Sequence, residues 1–170
     1  MRYRIVVAIR PEDTGLMHAV MGDQFDLIVC TALPEAQAAL TQEVHMIACG
    51  VHFDDGRMFD LLKYVKADEA LRAIPFWGVL RDEGMLSSAI TRGIRTAMKT
   101  LGANGLFNLS QMRADDQPEI LYRELRTALA QSLAQSLAAD GPRSPGSLPP
   151  DQPLDARQSS QPAPVRPKER

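Results

Sequence analysis

Short runs of almost uninterrupted apolar residues, separated by helical patterns, constrain this chain more than anything else in it. The runs are "YRIVVAIR" (3–10), "FDLIVC" (25–30), "VHMIACGV" (44–51), "IPFWGVL" (74–80) and "GLFNL" (105–109). Each is strand-length and lacks the polar alternation of a half-exposed strand, so both faces must be covered. Pro75 sits at the entry of the fourth run, where a missing N–H is tolerated. The intervening segments read as helices. "LPEAQAAL" has Pro34 near its first turn, and "RMFDLLKYVKADEAL" puts Met58, Leu61, Leu62 and Val65 on one face. "LSSAITRGIRTAMKTLGA" ends at Gly102, a C-cap residue. The last pattern, "DDQPEILYRELRTALAQSLAQSLAAD", opens with Asp116-x-x-Glu119 as a capping box and Pro118 in the first turn.

Five strand–helix units in succession imply a parallel sheet covered on both faces. Right-handed crossovers then predict an α/β, flavodoxin-like three-layer sandwich with strand order 2-1-3-4-5. The pattern stops near Asp140. Residues 1–139 are expected to form this domain, with an extended C-terminal helix. Residues 140–170 are expected to be a disordered tail: eight of the twelve prolines lie there and no aromatic residue does. Such a segment buries too little apolar surface to offset its ordering entropy. It is also too short and too proline-rich for a DNA-binding output domain.

Other classes lack support. The net charge of -2 creates no field that would recruit nucleic acid. The apolar runs fall far short of the ~20 residues of a membrane span. Cys30 and Cys49 lie in apolar runs outside any CxxC pair, so neither a zinc site nor a disulfide framework is expected, and a reducing cytoplasm is the default compartment. "TLGANG" lacks the Lys-Ser/Thr of a phosphate-binding P-loop, and there is no nucleophile-elbow text. His52 and Gly56 invite comparison with a cobalamin-ligating Asp-x-His-x-x-Gly loop. Gly50 stands where the Asp should be, and the spacing to Gly56 is one residue too long. No cofactor and no metal are expected. His18 and His45 are isolated in sequence and expected at solvent-facing or edge positions.

The stretch "GRMFDLLKYVKADEALRAIPFWGVL" (56–80) resembles the third helix and fourth strand of bacterial response-regulator receiver domains, which resemble CheY in fold. "LGANGLFNLS" (101–110) resembles their "GADDYLVKP" text around the fifth strand. The likeness spans residues 2–137 and is weak before Leu40. It implies acidic residues after the first strand, a phosphoacceptor Asp ending the third, Ser/Thr ending the fourth and Lys ending the fifth. Together these hold Mg²⁺ and a phosphoryl group. Counting back from the helix puts Gly50 at the phosphoacceptor position. Leu80 falls at the Ser/Thr position and Leu109 at the Lys position. Ile9 and Arg10 lie where acidic residues belong. The resemblance thus implies a degenerate phosphorylation pocket of Ile9, Arg10, Gly50, Leu80 and Leu109: a pseudo-receiver, without enzymatic activity.

The alternative is an atypical phosphorylatable receiver using Asp54 or Asp55 with Mg²⁺, aided by Glu12 or Asp13. Against it, Asp54 or Asp55 is expected to cap the helix that follows. A second alternative is a small-molecule-binding flavodoxin-like domain, its pocket lined by Ile9, Leu80 and Leu109. Two surfaces could serve protein–protein interaction. Arg92, Arg95 and Lys99 form a basic stripe on the fourth helix, suited to an acidic partner. The last helix, about 34 Å long, repeats leucine every fourth residue, and Leu129, Leu133 and Leu137 are expected to need a partner to cover them. The expected partner is an unidentified signalling or regulatory protein, or a second copy of the chain.

Overall fold

The computed structural model describes residues 2–81, 86–109 and 118–140. The elements are β1 (Tyr3–Ala8), α1 (Thr14–Met21), β2 (Phe25–Cys30), α2 (Leu33–Ala39), β3 (Met46–Gly50), α3 (Met58–Ala67), β4 (Phe76–Leu80), α4 (Ser88–Thr100), β5 (Gly105–Asn108) and α5 (Pro118–Asp140). The five strands form one parallel sheet in the order β2-β1-β3-β4-β5, as the alternation of apolar runs and helices predicts. Residues 3–140 belong to one compact unit. The proline-rich tail lies outside the described residues, as does Asp116 of the expected capping box. No described helix is long and apolar enough to cross a membrane.

The sheet divides two cores. On one face Val6, Ala8, Ile47, Cys49, Phe76 and Leu80 pack with α2, α3 and α4. On the other Ile5, Val7, Met46, Ala48 and Val79 pack with Met17 and Met21 of α1 and with Leu129 and Leu133 of α5. Neighbouring residues of a strand alternate between these cores because side chains alternate across a pleated sheet.

Helix ends follow local chemistry. A 3-10 turn at Pro11–Asp13 delays α1 to Thr14. α3 stops at Ala67, short of the expected Leu71, because the Asp68 carboxylate accepts from the amides of Ala70 and Leu71 at 2.8 and 3.3 Å. The Ser87 hydroxyl caps the start of α4 by accepting from Ile90 N. At its end, Gly102 (φ +89°) donates to Lys99 O and Ala103 to Met98 O, the pair of bonds that closes a helix through a left-handed residue.

The last helix corrects an expectation. Leu129 and Leu133 are 5% and 4% exposed and belong to the domain's own core, so they are not an interaction surface. Arg126 fastens the helix to the end of α1 by donating to the carbonyls of Ala19 and Val20, both at 3.0 Å. Only Leu137 of the three leucines is exposed, at 47%.

Candidate functional site

In an open sheet of this order, the loops leaving β1 and β3 diverge to opposite faces. The crevice between them, at the carboxyl ends of the strands, is the usual ligand position. A small hollow lies there. Its walls include Ile9, Arg10 and Asp13 after β1, Gly50 to Phe53 after β3, Val79 and Arg81 from the end of β4, and Leu109 after β5. It encloses about 20 Å³ and opens to solvent on its outer side. That is room for about one water-sized group, against the roughly 300–1,000 Å³ of a pocket for a drug-sized ligand.

The β1 loop builds the charged wall. Ile9 extends the strand pairing by one residue, donating to Cys30 O at 3.0 Å. Pro11, with its φ preset, opens the 3-10 turn, and Asp13 N donates back to Arg10 O. The turn brings the Asp13 carboxylate against Arg10, whose Nε donates at 3.0 Å. The other carboxylate oxygen of Asp13 accepts from Arg81, which follows β4. The Asp13 side chain is only 13% exposed and lies between two guanidiniums. Its hydrogen bond pushes the Arg10 pKa further up. Glu12 is more exposed and pairs with the other side of Arg10 at 3.3 Å.

Gly50 is where counting back from the helix puts it, at the end of β3 opposite Val79. Its backbone does not require glycine: a Cβ there would meet nothing nearer than Ile9 Cγ2, at 3.5 Å. Ile9 and Leu109 are buried beside the hollow. Leu80 is the exception among the five pocket residues expected. It is fully buried in the core on the α2/α3 side, and Val79 and Arg81 line the hollow instead. Strand alternation explains this, since Leu80 shares the face of Phe76 while Val79 shares that of Trp77.

Asp54 and Asp55 have a different role from the one expected. Both adopt left-handed backbone (φ 43° and 56°), which aspartate tolerates better than most residues. Asp54 does not cap α3. Its Oδ2 accepts from Leu33 N, at the start of α2, at 2.8 Å, and lies 3.6 Å from Arg57. The reason is local: α2 begins after Ala32, which has no capping side chain. Glu35 supplies the second carboxylate there, accepting from the amides of Thr31 and Ala32, and those bonds lower its pKa. Asp55 is exposed. Glu12, Asp13, Asp54 and Asp55 are therefore spread over separate pairings. Among the described residues no three His, Cys, Asp or Glu side chains gather as metal ligands would.

Other expected positions fall as follows. Arg92, Arg95 and Lys99 are exposed on one face of α4, and Ile90, 50% exposed, lies on another side of the helix. Cys30 and Cys49 both lie opposite Ala8, on either side of β1. Two strand spacings, about 10 Å, separate them, beyond disulfide reach. Burial pushes both thiols up, Cys49 most. His18 is exposed, and His52 is exposed at the rim of the hollow. His45 is half-buried, with Nδ1 accepting from Arg4 N. Arg81 was not singled out by the sequence. Its only signal is position: like Arg10, it is the first charged residue after a buried strand.

No protein-family model matches the chain, and no curated protein matches it. Solved structures do. A response regulator from Hahella chejuensis superposes with a TM-score of 0.56 at 13% identity, covering 82% of this chain and 98% of its own. The phosphorylated cyanobacterial phytochrome response regulator RcpA gives 0.54 at 15%, covering 75% and 91%. The Mn²⁺-bound response regulator Rcp1 gives 0.54 at 16%, covering 78% and 95%. The fold is that of response-regulator receiver domains, the CheY-like form of the flavodoxin-like sandwich.

Proposed function

We infer that this chain is a pseudo-receiver: a non-enzymatic module of bacterial signal transduction, in the cytoplasm, that acts by protein–protein contact without aspartyl phosphorylation. The observation that carries this reading is the pairing of Asp13 with both Arg10 and Arg81 beside a glycine at position 50. A phosphorylatable pocket needs a carboxylate nucleophile and carboxylates free to hold a divalent cation. Here the strand-end residue has no nucleophile. The best-placed carboxylate already has two cationic partners. The alternative nucleophile Asp54 is engaged at the start of α2. Contact with a partner is assigned to α4, where Arg92, Arg95 and Lys99 are exposed on one face. An acidic surface fits that face.

The test is treatment of the full chain with acetyl phosphate and Mg²⁺, read by intact mass, and with beryllofluoride and Mg²⁺, read by amide NMR. The expected result is no added phosphoryl group and no saturable shift around Gly50. A phosphoryl group mapped to Asp54 or Asp55 would overturn the reading in favour of an atypical phosphorylatable receiver.

A further inference from the structure

Two helix starts in this domain lack a capping side chain of their own. α2 begins after Ala32 and α3 after Arg57, and neither residue makes a side-chain cap bond. Asp54 and Asp55 stand close to both. They lie between Phe53 and Met58, which are fully buried, so the ends of this tip are anchored in the core. Asp55, Gly56 and Arg57 between the anchors are exposed. As observed, the tip serves α2, with Asp54 Oδ2 accepting from Leu33 N at 2.8 Å. The backbone that delivers this bond is strained. Asp54, Asp55 and Gly56 are consecutive left-handed residues, with φ of 43°, 56° and 91°. Glycine adopts that region freely, whereas other residues visit it singly and at a cost. Two such aspartates in succession offset a gain of the same order, that of one helix cap.

We propose that residues 54–56 form a two-state switch between the starts of α2 and α3. In the observed state Asp54 caps α2 through a left-handed backbone. In the second state Asp55 is extended, Gly56 and Arg57 are right-handed, and α3 starts two residues earlier. Asp55 is then the N-cap of α3, its carboxylate facing the amides of Arg57 and Met58. This relieves both aspartates and withdraws Asp54 from Leu33. Gly56 permits either backbone. Glu35 keeps α2 partly supported, because it accepts from the amides of Thr31 and Ala32 in its own right. With gain and cost of the same order, the second state is populated on the order of 0.1–10%. The consequence falls on the sheet under α2. Leu33 and Ala36 are 5% and 0% exposed and share a core with Cys30 at the end of β2. Lengthening α3 therefore loosens α2 and uncovers this corner, which is separate from the α4 face. The switch does not depend on whether the domain is phosphorylated.

Two substitutions at the exposed tip push the equilibrium in opposite directions. Gly56→Ala penalises the left-handed backbone and favours the longer α3. A Cβ at that position meets nothing within 4 Å, so no clash accompanies the change. Asp55→Gly removes both a strained residue and the alternative cap, and so holds the observed state. The measurement is amide hydrogen exchange on the full chain. Gly56→Ala should speed exchange in α2 about tenfold and slow it in the first turn of α3. Asp55→Gly should do the reverse in both helices. Alkylation of Cys30 by iodoacetamide, read by peptide mass, should follow α2: faster in Gly56→Ala and slower in Asp55→Gly. Both helices moving in the same direction within a variant would mean a general change in stability and would overturn the proposal. Exchange unchanged in both variants would overturn it as well.

Discussion

The last two helices carry stripes of equal regularity and turn them in opposite directions. α4 holds Arg92, Arg95 and Lys99 in solvent and buries only Thr91 and Met98. α5 turns Leu129 and Leu133 into the core it shares with Phe25, Met46 and Met17. The fate of a charged stripe follows from its own chemistry, because unpaired charges are too costly to bury. The fate of a leucine stripe depends on what apolar surface lies nearby, and that is a property of the whole fold. Here the sheet and α1 supply the cover, so α5 is structural over most of its length and α4 is left as the exposed face.

The comparison is broken most readily at Leu129 and Leu133. Truncating either to alanine is expected to cost about 2–5 kcal/mol in urea unfolding, the usual range for a buried leucine. Leu137→Ala should change stability by no more than about 0.5 kcal/mol. Equal effects at Leu133 and Leu137 would mean that the helix is not docked as described. Removing residues 130–170 takes Leu133 away and should destabilise the domain, whereas stopping after Asp140 leaves the compact unit intact.

A smaller effect is expected where α4 is seated. Met98 reaches the sheet over Gly78, and a Cβ at that position would stand 2.6 Å from Met98 Cε and 2.8 Å from Leu106 Cδ1. Gly78→Ala is expected to cost about 1–3 kcal/mol by overpacking. Hydrogen exchange should speed up in α4 more than in α5. A variant as stable as the parent, with exchange unchanged, would show that α4 does not depend on this contact.

Smaller still is the cap on α2. Asp54→Ala should cost about 1 kcal/mol, in the range of other lost N-caps, and fray α2 while leaving α3 protected. Fraying of α3 instead would restore the assignment that the sequence favours.

These sites differ in how far the local sequence specifies them. Strand identity and order were legible because each strand's burial is written in its own apolar run, and Gly50, Ile9 and Leu109 could be placed by counting along the strands. Arg81 could not, since its partner Asp13 is 68 residues away and no local pattern joins them. Asp54 caps α2 and not the helix that follows it, for a similar reason. Its acceptor is consistent with either helix start, and only the packing of the β3–α3 loop beside Ala32 decides between them. Leu80 was a different failure. The period-two alternation in "FWGVL" turns Val79 toward the hollow and Leu80 away, whereas a family position counted along the chain carries no information about which face it occupies.

The smallest expected change in stability comes from reversing the α4 stripe. Arg92→Glu, Arg95→Glu and Lys99→Glu together change groups that are all exposed. Surface substitutions of this kind usually stay within about 0.5 kcal/mol each. Unfolding should therefore barely move. Binding is where the two helices part: a complex with an acidic partner formed through α4 should be weakened by added salt in the parent and lost in the reversed variant, because rim charges act chiefly on encounter. A loss of stability comparable to Leu129→Ala would show that α4's charges have structural partners. Unchanged capture of the same partner would move the contact elsewhere on the domain, even with the α4 stripe still exposed.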